Sequence, residues 1–131
     1  MNRGLVRIWK IIRMRIEKFE DLLSWQKSQY LAKMIYSDLN GNKDFGFRDQ
    51  IFRASVSISN NLAEGFGRQS KNQLAYFLRI SIGSCMEVKS MLYLAEELNY
   101  IDSSRGIELR KVCDDIIKLI GGFLRSILKN H

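Results

Sequence analysis

Few residues in this chain of 131 have the side chains that usually carry out covalent or metal chemistry. Its single histidine is His131, the last residue, where fraying leaves no fixed geometry for proton transfer or metal binding. Without a second histidine, serine and cysteine nucleophiles lack their usual base, and the Glu-x-x-His pairs that hold metals inside helical bundles are missing. Cys85 and Cys113 lie far apart in apolar periodic stretches, so they read as small buried thiols, not as a zinc site or a disulfide. Gly65-Phe66-Gly67 lacks the strand and the lysine of a phosphate loop and reads as a helix stop. These residues predict no metal, no cofactor and no enzymatic activity.

What remains is polar contact chemistry. Arg53, Ser57, Asn60 and Glu64 recur at the spacing of one helix face, and Ile51, Ser55, Ile58 and Leu62 follow the same spacing on the opposite face. Arg48, Arg53, Arg68, Lys71 and Arg79 are the candidate phosphate contacts, with Asn60 and Asn61 as neutral hydrogen-bonding partners for phosphate or sugar. The competing reading pairs Arg53 with Glu64, within or between subunits, and gives Arg68 to a helix end. Aromatic residues are not interleaved with these cations as they are on platforms that stack single-stranded bases.

Net charge is +7, from 21 basic and 14 acidic residues. Arg3, Arg7, Lys10 and Arg13 place four of those cations in residues 1 to 13; without them 17 face 14, or +3. The strongly basic character therefore belongs largely to the first segment.

The elements that must position the polar line follow from periodicity. Residues 1–18 read as a basic amphipathic extension, with Leu5, Ile8, Trp9, Ile12 and Ile16 along one side. Three roles compete for it: a membrane-surface helix, a nucleic-acid arm, or a helix that packs on a neighbour. Met14 adds a further reading, in which residues 1–13 are an upstream extension of the natural start.

Residues 19–131 read as one domain. A first helix spans about Leu22 to Leu39, with Leu23, Tyr30, Leu31, Met34 and Ile35 as its core stripe and Asn40-Gly41-Asn42 as its stop. An aromatic loop, Asp44 to Phe47, leads to a second helix from about Arg48, ended by Gly65 and Gly67. Ser70 to Gln73 forms a capping box for the longest helix, to about Leu98, whose core arc is Leu74, Phe77, Cys85, Val88, Leu92 and Ala95, flanked by Leu78, Ile82, Ile80, Met91 and Leu98. That arc is wider than the roughly 100 degrees a bundle helix needs, which implies a second buried surface and hence self-association. A last helix spans about Ser104 to Lys129, with Gly121-Gly122 either a close contact or a weak point.

The architecture expected is all-α, an up-down-up-down antiparallel four-helix bundle with an additional basic N-terminal segment. No apolar run approaches the roughly 18 residues of a transmembrane helix, and the cytoplasm is the expected compartment.

Several residues carry a resemblance: Phe19-Glu-Asp-Leu22, Trp25-Gln-Lys27, Tyr36, Gln50-Ile51, Arg53-Ala54, Val56-Ser-Ile58, Asn61-Leu-Ala-Glu-Gly65, Gly67-Arg68, Phe77-Leu78, and Gly83-Ser84 with Glu87. From about Phe19 to Ile101 the chain resembles the four-helix-bundle family first noticed as open reading frames in intervening sequences of bacterial large-subunit ribosomal RNA genes. It departs from the family pattern where Ser59 replaces a common proline, where Phe52 replaces a second arginine, and where a Phe-Pro step before the second helix is missing. The resemblance implies a homo-oligomer, with a pentamer as the characteristic assembly. It also links the chain to the accessory variability determinant proteins of diversity-generating retroelements, which bind nucleic acid and a reverse transcriptase. The function expected is thus a non-enzymatic oligomeric accessory protein binding RNA, DNA or an RNP. The alternatives are a protein-protein scaffold and a membrane-surface role for the N-terminal helix.

Overall fold

The computed structural model describes residues 18–129; the readings of the N-terminal segment and of His131 lie outside them. A single 3-10 turn, Phe19–Asp21, leads into four helices: α1 (Leu23–Leu39), α2 (Phe45–Phe66), α3 (Lys71–Glu97) and α4 (Ser103–Leu128). Each helix packs on the next, α4 closes back on α1, and the backbones of diagonal helices do not approach closely among the described residues. Short connections between neighbours give the up-down-up-down four-helix bundle, with no strand among the described residues.

The core is built from Leu31 and Ile35 of α1, Ile51, Ile58 and Leu62 of α2, Cys85, Val88 and Leu92 of α3, and Leu109, Cys113, Ile116 and Ile120 of α4. Both cysteines are free and buried, and the Cys85 Sγ–H donates to the Cys113 carbonyl at 3.5 Å. Contact with Cys85 and burial both push the Cys113 thiol well above its usual range.

Four local readings need correction. In α1, Leu23 and Tyr30 are exposed, and Ser24 and Ser28 are buried in their place. The Ser28 hydroxyl donates to the Ser24 carbonyl at 2.6 Å, so a serine enters the core with its polar group satisfied. Second, α2 starts at Phe45, not Arg48: Asp44 Oδ1 accepts from the Phe47 amide at 3.2 Å, and Phe47 is buried edge-on to Tyr100, ring centroids 5.2 Å apart.

Third, glycine does not stop helices here by a left-handed turn. Gly65 lies inside α2, and the caps Asn40 and Gly67 are right-handed, with φ of −62° and −75°. The left-handed residue is Asn99, φ 59°, after α3. There Tyr100 N–H donates to Ala95 O at 2.8 Å and Asn99 N–H to Glu96 O at 3.0 Å, the paired bonds of a Schellman motif. Fourth, Leu78 is buried in α3 and Phe77 is only half-buried, while Leu74, Cys85, Val88, Leu92 and Ala95 hold the core arc as expected. Gly121 and Gly122 are not a close helix contact: only the Arg125 side chain of the same helix would lie within 4 Å of a Cβ there.

At one end of the bundle the two loops are tied together. Tyr100 O–H donates to Asp44 Oδ2 at 2.6 Å, and Arg105 of α4 holds Asp38 of α1 through two bonds of 2.7 and 3.3 Å. The bond from Tyr100 and the Phe47 amide hold the Asp44 carboxyl below its ordinary 3.8, and the same bond raises the Tyr100 phenol above 10.0. Asp44 therefore contributes stability that is lost as pH falls through its folded value. Tyr100 contributes stability present below pH 10 and lost as pH rises through its folded value. Tyr100→Phe, which keeps the ring against Phe47, is expected to lower the melting temperature near neutral pH. Its effect should fade as pH falls through the lowered Asp44 value and the carboxylate that accepts the bond is lost; melts followed across pH by circular dichroism check this.

Candidate functional site

The polar line on α2 sits where the sequence puts it. Arg53, Asn60 and Glu64 are exposed and Ser57 is half-buried, while Ile51, Ser55, Ile58 and Leu62 are buried behind them. Two members of the polar line, Arg53 and Ser57, border an open groove of about 440 Å³ between α2 and α3. Gly46, Gln50, Arg53, Ala54 and Ser57 line it from α2, and Ser84 and Glu87 from α3.

Two polar pairs bridge the groove. Gln50 Nε2 donates to Glu87 Oε2 at 3.2 Å, and the Ser57 and Ser84 hydroxyls share a hydrogen bond of 2.9 Å. Asn61 Nδ2 donates to both the carbonyl and the hydroxyl of Ser57, at 2.8 and 2.9 Å. Below them, buried Ser81 of α3 donates to the Ile58 carbonyl at 2.7 Å. Arg53 makes no hydrogen bond, ion pair or ring contact with any described residue. Its guanidinium keeps all five donors available.

The other sequence-derived candidates do not all converge. Arg48 lies at the α1–α2 turn, donating to the Asn40 carbonyl at 3.2 Å, with Asp49 beside it and the Phe45 ring under it. Arg68 pairs with Glu64 one turn back and lies over the Phe77 ring at 5.1 Å. Glu64 thus has a partner other than Arg53 within the chain. Lys71 opens α3, and Arg79 is exposed but precedes Ser84 by five residues, about 140° around the helix, on the side towards α4. Asn60 and Asn61 share with Arg53 a second, shallower hollow on the outer face of α2. Of the predicted residues the groove therefore collects Arg53 alone, with Asn60 and Asn61 in the adjoining hollow, and it adds Gln50, Ser57, Ser84 and Glu87. No helical period reveals that Ser84 and Glu87 face α2; their presence among the residues of the family resemblance was the available signal.

On the outer side of α3 lies a different surface. Tyr76 (58% exposed), Met86 (55%), Tyr93 (52%), Leu94 (48%) and Leu98 (44%) face solvent. Met86 and Tyr93 turn towards α4, where with Lys89, Ser90 and Ile117 they line an apolar groove of about 330 Å³. Its polar edges are occupied: Lys89 bonds Asp114 at 2.7 Å, and Arg110 pairs with Glu96 while lying over the Tyr93 ring at 4.1 Å. Gly106 of α4 lies beside that last pair, and a Cβ there would make the end of the Glu96 side chain shift.

Among the described residues no group of histidine, cysteine, aspartate and glutamate has the arrangement of a metal site, and no helix is long and apolar enough to cross a membrane. Fold and surfaces together define an all-α four-helix bundle with one polar interhelical groove and one exposed apolar flank. The profile of the 23S rRNA-intervening sequence protein family matches residues 20–122, and the chain belongs to that family. It is similar to the crystal structure of a protein of unknown function from the S23 ribosomal protein family of Bacteroides thetaiotaomicron, with 26% identity and a TM-score of 0.73 over 78% of this chain and 98% of that one. No curated protein matches the sequence.

Proposed function

We propose that the chain is a non-enzymatic accessory protein that self-associates and binds nucleic acid through a basic surface repeated around the oligomer, in the bacterial cytoplasm. Residues 19–131 form its bundle domain and residues 1–18 a basic extension. The observation that carries the reading is α3, which has one face in the core and four large apolar side chains on solvent, with Leu98 exposed at its C-cap. A bundle helix in a monomer needs one apolar face; a second is expected to be covered by another copy. One protomer offers Arg53 as the open cation of its groove, too little for affinity. Repetition around a closed ring places several such cations, and a net charge of +7 per subunit, within one field. A pentamer, as the resemblance implies, is the assembly proposed.

Fluorescence anisotropy with short RNA and DNA strands over a salt series tests this. Binding is expected to weaken steeply with salt. Arg53→Ala should reduce the slope of log affinity against log salt by about one for each groove engaged, while leaving the fold unchanged. No binding at low salt, or binding indifferent to salt, would overturn the reading. A protein-protein scaffold is the second reading, favoured by the engagement of Arg48 and Arg68 within the chain.

A further inference from the structure

We propose that the α2–α3 groove receives the ribose phosphate of an RNA strand, with Arg53 on the phosphate and Glu87 and the Ser57–Ser84 pair on the 2′-hydroxyl. This rests on the nucleic-acid reading above and adds to it the identity of the sugar.

The presence of Glu87 is the starting observation. A groove that served phosphate alone would gain nothing from a carboxylate, since like charges a few ångströms apart repel. A carboxylate accepts hydrogen bonds and donates none, so it selects a ligand that brings a donor. The sugar-phosphate backbone of DNA has only acceptors; the 2′-hydroxyl gives RNA a donor at every residue. Glu87 Oε2 accepts from Gln50, and Oε1 is left for a second donor.

The serine pair supplies the complementary half. One of the two hydroxyl hydrogens is used between Ser57 and Ser84, and the Asn61 amide donates to Ser57 Oγ. Whichever serine donates to the other, one O–H remains to donate into the groove. A 2′-hydroxyl, both donor and acceptor, can therefore be met on both counts.

Arg53 lies one helical turn from both Gln50 and Ser57, about 5.4 Å along α2, on the scale of one sugar-phosphate unit. Ala54 keeps the α2 wall low between these groups and Gly46 does so one turn before Gln50, so the strand's backbone can approach. The groove's 440 Å³ falls within the usual range for sites that hold a small-molecule unit.

The test compares a short oligouridylate with its 2′-deoxy counterpart of equal length and identical bases. The full chain is expected to bind the RNA about tenfold more tightly, the effect of one hydrogen bond to a charged acceptor. Glu87→Gln keeps the side-chain length and is expected to bring the ratio close to one, while binding to the deoxy strand strengthens because a repulsive charge is gone. Arg53→Ala should weaken both polymers alike. Equal affinity of the unaltered chain for the two strands, or an unchanged ratio in Glu87→Gln, would overturn the sugar assignment and leave nucleic-acid binding intact. Failure to bind either strand at low salt would overturn the nucleic-acid reading itself. Uridine monophosphate offers the same phosphate and hydroxyls; if it bound as tightly as the polymer, the groove would be a mononucleotide site and the assignment to an RNA strand would fall.

Discussion

Gly65→Val is expected to unfold roughly 10 °C below the unaltered chain, a loss of about 3 kcal/mol. Gly65 is buried inside α2, and a Cβ added there would stand 2.8 Å from Cβ of Phe77 and 3.3 Å from Cδ1 of Leu74, both on α3. A Cβ cannot swing aside as a long side-chain tip can, so the helices must separate or α2 must bend. Leaving glycine gives back less than about 1 kcal/mol of helix propensity, too little to offset that strain. Gly67 is the control: its φ is −75°, and a Cβ there makes only ordinary contact, 3.5 Å from the Glu64 carbonyl. Gly67→Ala is expected to gain about 0.5 kcal/mol by restricting the unfolded chain. Thermal melts of the three proteins, read at equal concentration, decide the matter; equal midpoints for Gly65→Val and the unaltered chain would remove the close approach from the account.

The second large effect is expected at Met86. This side chain is 55% exposed in the protomer and lines the apolar groove between α3 and α4. If that groove is the contact between copies, Met86→Glu buries an unpaired charge in it. The cost is about 3 kcal/mol per contact, roughly a hundredfold in association. Sedimentation at micromolar concentration should then show smaller species, with helicity retained because the protomer core is untouched. An oligomer that survives the substitution with its affinity intact would place the contact elsewhere. Met86 and the α2–α3 groove lie on opposite flanks of α3, so loss of assembly is separable from loss of the groove itself.

Most of the architecture was legible because its signal is periodic. Ile51, Ser55, Ile58 and Leu62 of α2 are buried at the spacing read from the chain, with the polar line of α2 on the opposite face. The misreadings share one cause, which is that a side chain's partner was out of view. Ser24 and Ser28 look like surface residues until a hydroxyl bonded to the preceding turn lets them into the core. Asp44 looks like a loop residue until it caps α2 and accepts from Tyr100, which is 56 positions away in the chain. Gly65 reads as a stop because glycine often is one; its actual task, admitting Phe77, belongs to a neighbouring helix. The candidate site divides the same way. Arg53, Asn60 and Asn61 were visible on one helix, whereas Ser84 and Glu87 meet α2 across 27 and 37 positions, a pairing that spacing along one helix cannot express.

The pairs that cross the groove also fix how far α2 and α3 are slid along one another. Aliphatic side chains pack nearly as well after a shift of one turn, about 5.4 Å, because one leucine or isoleucine can replace another in the same hollow. Gln50 with Glu87, Ser57 with Ser84, and Ser81 with the Ile58 carbonyl have no such substitutes. A slipped pairing would break all three, and the buried Ser81 hydroxyl could keep a partner only by turning back to its own helix, which gives up its tie to α2. These modest polar contacts thus choose one axial alignment from several that the apolar core would tolerate, and in doing so they hold Arg53 and Glu87 at a constant separation across the groove.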